Sequence, residues 1–296
     1  MIYDIRHVTR YSYEAPVASS KLVLRVMPKT GGGQRCIEHT LIIDPQPRGT
    51  VMERDFFGNA VAVVNIETSM NDLSIDSRSR VEVDRPEGPA PGSGPDWQSV
   101  ADAALNEAAI ASDAPAHFLF RSPRIVLSRD VTAYATQSFH AGRSIIDASR
   151  ELGKRIRGDF KYSPHSTEIS TPLDVAFAQR RGVCQDFAHI MIAGLRGLGV
   201  PAAYVSGYIR TITAPGQKRL EGADASHAWV SVWCGPEIGW FGVDPTNAID
   251  IGNDHIEVAV GRDFSDVSPI HGVFVGSGAQ ELDVGVDVIP VTPEAA

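Results

Sequence analysis

Three side chains suited to nucleophilic chemistry stand far apart in the chain: Cys184 in RRGVCQDFAH (residues 180–189), His227 in ASHAWVSVW and Asp244 in GWFGVDPTN. A thiol attacks a carbonyl carbon effectively when a base lies within hydrogen-bond reach and a third group orients that base. Cys184 follows a Gly-Val turn and opens a helical stretch. At a helix start, unpaired backbone N–H groups and the macrodipole favour negative charge on a sulfur. Arg180 and Arg181 add to that field, and Asp186 partly opposes it.

His227 and Asp244 fall on two successive strand-like segments. Pairing Trp233 with Ile238 across a four-residue loop, Cys234 to Glu237, sets His227 directly opposite Asp244. Their side chains then share one face, with Cβ atoms about 5 Å apart. A slip of one residue would send one of them to the other face. A thiol on a helix start with an imidazole and a carboxylate on adjacent strands is a thiol-hydrolase arrangement.

Simpler readings compete at each position. Free cysteine is among the residues most often buried as a small hydrophobe, and Cys36 and Cys234 take that reading. A metal site at Cys184 would call on His189, but five helical residues turn roughly 500°, which leaves the two side chains about 140° apart. His189 therefore reads as a structural residue on the helix flank before it reads as part of a site. His-Ala-Trp on a strand, taken alone, reads as half-buried packing.

Acyl transfer also needs donors for the developing oxyanion. The Cys184 backbone N–H is the first, with Gln185 and Tyr162 as alternative seconds. Trp229 and Trp233 alternate onto the His227 side of their strand; Trp229 is a candidate wall for bound substrate, and Trp233 a core residue. His7, His39, His117, His140, His165, His255 and His271 are scattered and read as solvated or packed. The chain has no Gly-x-Ser-x-Gly elbow, phosphate-binding glycine loop or His-Glu-x-x-His, and no metal or cofactor is expected.

These residues need a scaffold, and the sequence supplies two textures. From Ile2 to about Val83, short β-like runs with period-two alternation are separated by Gly, Pro, Asn and Asp, which predicts a β-sandwich-like domain over 1–88. RPEGPAPGSGPDW, residues 85–97, reads as a linker or long surface loop. Helical segments follow. TPLDVAFAQRRG has Thr171 as an N-cap, Pro172 at the first helical position and Gly182 past the end. The helix opened by Cys184 carries Phe187, Met191, Leu195 and Leu198 on one spacing and stops at Gly199 before Pro201. Strand-like segments rich in Val, Ile and aromatic residues then run to the C-terminus. Residues 89–296 therefore read as an α+β core that includes the C-terminal strands.

At 296 residues the chain can hold two domains without metal or disulfide support. Its 27 basic and 36 acidic residues give a formal charge of -9, which disfavours nucleic acid as a partner. No secretory or transit signal and no long uninterrupted apolar span are visible, and the three cysteines lack disulfide spacing. The expectation is a soluble cytoplasmic protein with free thiols and no membrane partner.

In RGVCQDFAHIMIAGLRGLGVPAAYVSGY, DASHAWVSVW and GWFGVDPTN the chain resembles the bacterial transglutaminase-like superfamily of cysteine peptidases, and YDIRHVTRYSYEAPV resembles the β-domain that often precedes that core. The resemblance implies a papain-like thiol core with Cys184 as nucleophile, His227 as general base and acid, and Asp244 orienting the imidazole. It also implies acyl transfer from a peptide or glutamine amide through a thioester. Animal transglutaminases carry tryptophan after the cysteine where this chain has Gln185, and their calcium dependence does not carry over. Hydrolysis is the leading expectation, as a cysteine peptidase or amidase. An amine-capturing transglutaminase and a non-catalytic peptide-binding module are the alternatives.

Overall fold

A computed structural model of the chain describes residues 1–164, 166–211 and 225–291; His165 lies outside them. The N-terminal region forms six strands, β1 (Ile2–Val17), β2 (Ser19–Leu24), β3 (Gln34–Asp44), β4 (Gly49–Arg54), β5 (Ala60–Ile66) and β6 (Met70–Val83). After them come helices α1 (Trp97–Asn106), α2 (Arg129–Thr136) and α3 (Ile145–Asp159), the two-residue strand β7 (Lys161–Tyr162), helix α4 (Leu173–Gln179), the two-residue strand β8 (Arg181–Gly182) and helix α5 (Cys184–Gly197). The chain continues through β9 (Ala202–Ile209), β10 (Ala225–Trp233), β11 (Trp240–Asp244), β12 (Ile249–Asp250) and β13 (His255–Gly261). It closes with the short helix α6 (Phe264–Val267), then β14 (Ile270–Val275) and β15 (Gln280–Pro290).

The strands form two sheets of four, ordered β15-β1-β6-β3 and β14-β2-β5-β4, and one of five, ordered β12-β11-β10-β9-β13. The two four-stranded sheets enclose an apolar core of Val17, Leu24, Val64, Ile66, Leu73 and Ile75, which is the sandwich the alternation predicts. One boundary differs from expectation. The C-terminal strands, assigned to 89–296, return to the first domain, where β15 pairs with β1 from Tyr3↔Pro290 to Tyr13↔Gln280 and β14 pairs with β2. Alternation identifies the buried face of a strand but not the neighbour that satisfies its edge.

The second domain wraps α5. Every residue from Asp186 to Arg196 is buried, so this helix is enclosed on all sides, where the sequence spacing suggested one apolar stripe. Its flanking packing comes from α2, α4 and strands β9 and β10. The cap of α4 also differs by one residue. Pro172 is the N-cap, because the Thr171 hydroxyl accepts instead from the Glu168 N–H at 2.8 Å. At the other end Arg180, not Gly182, terminates the helix in the left-handed conformation, with φ 52°. The Arg180 guanidinium lies 4.2 Å from the Phe177 ring centre, 4.7 Å from Phe160 and 4.9 Å from Tyr134, a cation–π setting that offsets the strain.

Tyr3 and Ile5 of β1, Val81 and Val83 of β6, and Val286 and Val288 of β15 belong to the same buried cluster as α5. The first sheet therefore packs one stretch of its face on the sandwich partner and another on the core domain.

Candidate active site

Gly182 and Asp186 set the position of Cys184. The Asp186 carboxylate accepts from the Val183 N–H at 2.9 Å and from the Thr167 hydroxyl at 2.7 Å, so it caps the first turn of α5. A Cβ at position 182 would lie 2.5 Å from the Asp186 Oδ2, so only glycine leaves room for this cap. Burial pushes the Asp186 carboxyl up, against the hydrogen bonds from Thr167 and Val183. Ahead of the turn, β8 pairs in parallel with β7, setting Tyr162 beside Gly182 and fixing the chain that delivers the thiol.

His227 and Asp244 come from the β10–β11 hairpin. Its connection between paired residues has six residues, Cys234 to Gly239, where four were expected, and within it the Cys234 N–H donates to the Gly239 carbonyl at 2.7 Å. Trp233 pairs with Trp240 rather than Ile238, a register shift of two residues. Gly235 and Gly239, with φ of 95° and 71°, supply the left-handed positions at which the loop turns. A two-residue shift preserves the face, because side chains alternate with period two. His227 and Asp244 are consequently diagonal neighbours, and His227 Nε2 lies 2.7 Å from Asp244 Oδ2.

Asp244 is fully buried and collects donors. Its Oδ1 accepts from the Thr246 N–H at 2.8 Å and the Asn247 N–H at 3.2 Å; its Oδ2 accepts from the Asn247 side-chain amide at 2.7 Å and faces His255 Nε2 at 3.3 Å. Burial works against the charged form, but hydrogen bonds from His227 and His255 outweigh it and hold this carboxyl well below the usual carboxylate range. His227 is 7% exposed. Burial would lower its pKa, yet hydrogen bonds with Asp244 and Cys184 and the charges of both raise it to about 10. With Nε2 committed to Asp244, Nδ1 is the ring nitrogen left for the sulfur. The ligand atoms of His227, Asp244 and His255 all lie within 4.8 Å of one another, a spacing a cation would accept. The 2.7 Å His227–Asp244 separation is that of a hydrogen bond, which makes the trio a proton-linked network.

Cys184 and His227 open into a cavity of about 360 Å³ that also exposes Val183, Gln185 and Tyr162. Gln185 Nε2 points at the Ile169 carbonyl at a long 3.4 Å. The Tyr162 hydroxyl is pushed up by burial and by the charge of Cys184. Both second-donor candidates thus border the cavity. Trp229 does not line it: the residue is 2% exposed, its ring centre stands 5.3 Å from that of His255, and a Cβ on Gly207 would meet the indole at 2.5 Å. It packs behind the two imidazoles because Gly207 leaves it space there. Trp233 is a core residue, and His189 accepts from the Phe264 N–H at 3.2 Å as a buried structural histidine. Cys234 is buried, with its thiol pushed up to about 12 by burial, whereas Cys36 is only partly buried, contrary to its reading as an interior residue.

His255, which the sequence alone assigns a solvated or packed role, and Asn247 of the DPTN motif both join the site through Asp244. Asn247 had a local signal, an Asp followed two and three residues later by turn N–H groups in DPTN. His255 had none, since its approach depends on β13 pairing with β9 through an irregularity between Glu257 and Ala259. A wider hollow of about 510 Å³ lies on the other face of the first sheet among Asp4, Arg6, Arg78 and Arg80. Its Arg80–Asp4 and Arg6–Asp76 pairs are already made, and it contains none of this chemistry.

Residues 3–82 match the bacterial transglutaminase-like N-terminal region, and residues 127–245 match the transglutaminase-like superfamily core. An uncharacterized protein of Mycobacterium tuberculosis is 38% identical across 99% of this chain and 94% of its own length. The chain belongs to the bacterial transglutaminase-like family. An uncharacterized Mycobacterium leprae protein is 32% identical across 95% of this transglutaminase-like chain and 96% of its own length. A protein-glutamine gamma-glutamyltransferase of Pseudomonas aeruginosa is 36% identical over 95 residues, 29% of this chain and 14% of its own. The solved structure of a candidate cysteine protease from Cytophaga hutchinsonii has the same fold, with a TM-score of 0.74 and 19% identity over 99% of this chain and 92% of that one. The transglutaminase-like core, with helices on an antiparallel sheet, and the β-rich N-terminal region are therefore both accounted for.

Proposed function

We propose that this protein is a thiol-dependent acyl-transfer enzyme acting on peptide or glutamine amides, with hydrolysis as its outcome. Cys184 is the nucleophile, His227 the acid and base, and Asp244 the group that orients His227. The observation that carries this reading is the His227 ring, hydrogen-bonded through Nε2 to Asp244 at 2.7 Å and sharing a cavity and an electrostatic interaction with Cys184. A ring with a pKa raised to about 10 is an imidazolium at neutral pH, suited to donating a proton.

The sulfur attacks the amide carbonyl carbon, and the carbonyl electron pair moves to oxygen, where the Cys184 N–H at the helix start donates to it. As the C–N bond breaks, His227 passes its proton to the leaving nitrogen, leaving a thioester and a neutral ring. Water then gives a proton to His227 and adds to the thioester, and cleavage of the C–S bond frees the acid and restores the thiolate. Capture of the thioester by an amine is the second reading, and it is favoured by the local similarity to the Pseudomonas aeruginosa glutamyltransferase.

A glutamine-containing peptide library offered with and without a tagged primary amine separates the outcomes by mass. Chain shortening means peptidase activity, ammonia release means amidase activity, and tag incorporation means cross-linking. Each should vanish in Cys184→Ala. Turnover that persists in that folded variant would remove Cys184 from the mechanism and overturn the reading.

A further inference from the structure

The cavity shared by Cys184 and His227 has a far wall that belongs to the first domain. Tyr3 and Ile5 are buried against the core domain; on the same face of β1, His7, Thr9 and Tyr11 border the cavity. β15 continues this wall, because its register sets Leu282 beside Tyr11 and Val284 beside Thr9. Leu282 and Val284 are 54% and 45% exposed, and across the cavity Ile169 and Tyr162 are 56% and 44% exposed. Large apolar side chains left open to water on two sides of one cavity are the signature of a surface that a ligand covers.

The polar groups on this wall are already engaged. His7 Nδ1 lies 2.9 Å from the Tyr208 hydroxyl and Nε2 lies 3.2 Å from the Thr9 hydroxyl. Burial pushes the His7 pKa down to about 4, so the ring is neutral at pH 7. Among the described residues bordering the cavity there is no Asp, Glu, Lys or Arg. A charged side chain set against Tyr11, Leu282 and Val284, on the wall away from His227, would lose hydration without gaining a charged partner among the described residues of that wall.

We propose that the first domain selects the substrate: the residue flanking the reacting amide is large, apolar and uncharged, and it lies against Tyr11, Leu282 and Val284. The reacting amide itself rests on the acyl-transfer reading above; the apolar wall does not. Continuity with the thiol cavity points to the substrate chain as the occupant, since the residues of β1 and β15 border the same cavity as Cys184 and His227.

The test separates binding from chemistry. Glutamine peptides that differ only in the flanking residue, Leu or Phe against Gly, Asp or Lys, are titrated into the full-length Cys184→Ala protein by fluorescence anisotropy. The same peptides are offered to the wild type for turnover. Leu and Phe peptides should bind at least about tenfold more tightly than the Gly, Asp and Lys peptides. The double variant Leu282→Lys, Val284→Lys, made in both backgrounds, should lose that preference and gain affinity for the Asp peptide. Val51→Lys, an equally exposed position on β4 away from the cavity, should keep the wild-type ranking. Circular dichroism melting establishes that each variant is folded. Equal binding of all peptides, or an unchanged ranking in the double variant, overturns the proposal. So does a change of oligomeric mass in the double variant without a change in peptide binding, which would make the patch a self-association surface. Selective binding without Cys184-dependent turnover in the wild type would uphold the wall and overturn the enzymatic reading alone.

Discussion

His255 stands behind Asp244 as a second imidazole: its Nε2 lies 3.3 Å from the same carboxylate oxygen that engages His227 at 2.7 Å. The Gly252 N–H, 3.4 Å from His255 Nδ1, fixes the tautomer, leaving Nε2 as the nitrogen that carries a proton toward Asp244. Asp244 is therefore a buried anion shared by two rings and the turn that follows it, which suits it to orienting His227 and not to accepting its proton.

Replacing that anion tests the arrangement. Asp244→Asn puts an amide where two imidazoles donate, so turnover should fall by roughly 10²–10⁴. The buried donors left without an acceptor should cost about 1–3 kcal/mol of stability each. His255→Phe keeps the ring that packs on Trp229 and removes one donor. It should destabilise the fold by about 1–3 kcal/mol and lower kcat more than it raises KM, because it acts through Asp244. Steady-state kinetics and thermal melts provide both readouts, and wild-type turnover in Asp244→Asn would remove the carboxylate from the mechanism.

The Gly182–Asp186 contact predicts a coupled pair of mutations. Gly182→Ala drives a methyl group into the carboxylate that caps α5 and should cost about 1–3 kcal/mol. Asp186→Ala loses the cap and should cost about 1–2 kcal/mol. In the double variant the contacts with Oδ2 and Cγ at 2.5 and 2.9 Å are gone and only that with the residue 186 Cβ at 2.7 Å remains, so the variant's loss of stability should be at least about 0.5 kcal/mol smaller than the sum of the two singles. Chemical denaturation of the four proteins measures this coupling; strict additivity would mean that the contact does not constrain the turn.

Stability should peak near pH 6.5. The His227 pKa, raised to about 10 in the fold, contributes stability that is complete below the ordinary imidazole value of about 6.5 and is lost as pH rises toward 10. His7 and His189 have the opposite sign. Their folded values, lowered to about 4, contribute stability that is present above about 6.5 and is lost as pH falls toward 4. Asp244, held low, adds to the acid loss, because the unfolded carboxyl takes up its proton first. Melting temperature measured against pH should therefore fall on both sides, and His227→Gln should flatten the alkaline side only. An alkaline decline of full size in that variant would assign the effect to other groups.

The sequence by itself determined what local chemistry fixes. Gly-Val-Cys at a helix start, His227 and Asp244 on consecutive strands, and their common face were all legible, because side-chain alternation survives an error of two residues in register. Alternation likewise marked β1 as a strand with one buried face. Tertiary structure decided which surfaces meet. The return of Ile270–Val275 and Gln280–Pro290 to the first domain, the approach of His255 to Asp244 and the seating of Trp229 over Gly207 all join residues distant in the chain. A strand carries its pattern of buried and open faces in its own residues, but its partner is chosen by whichever edge and cavity the rest of the fold leaves unfilled.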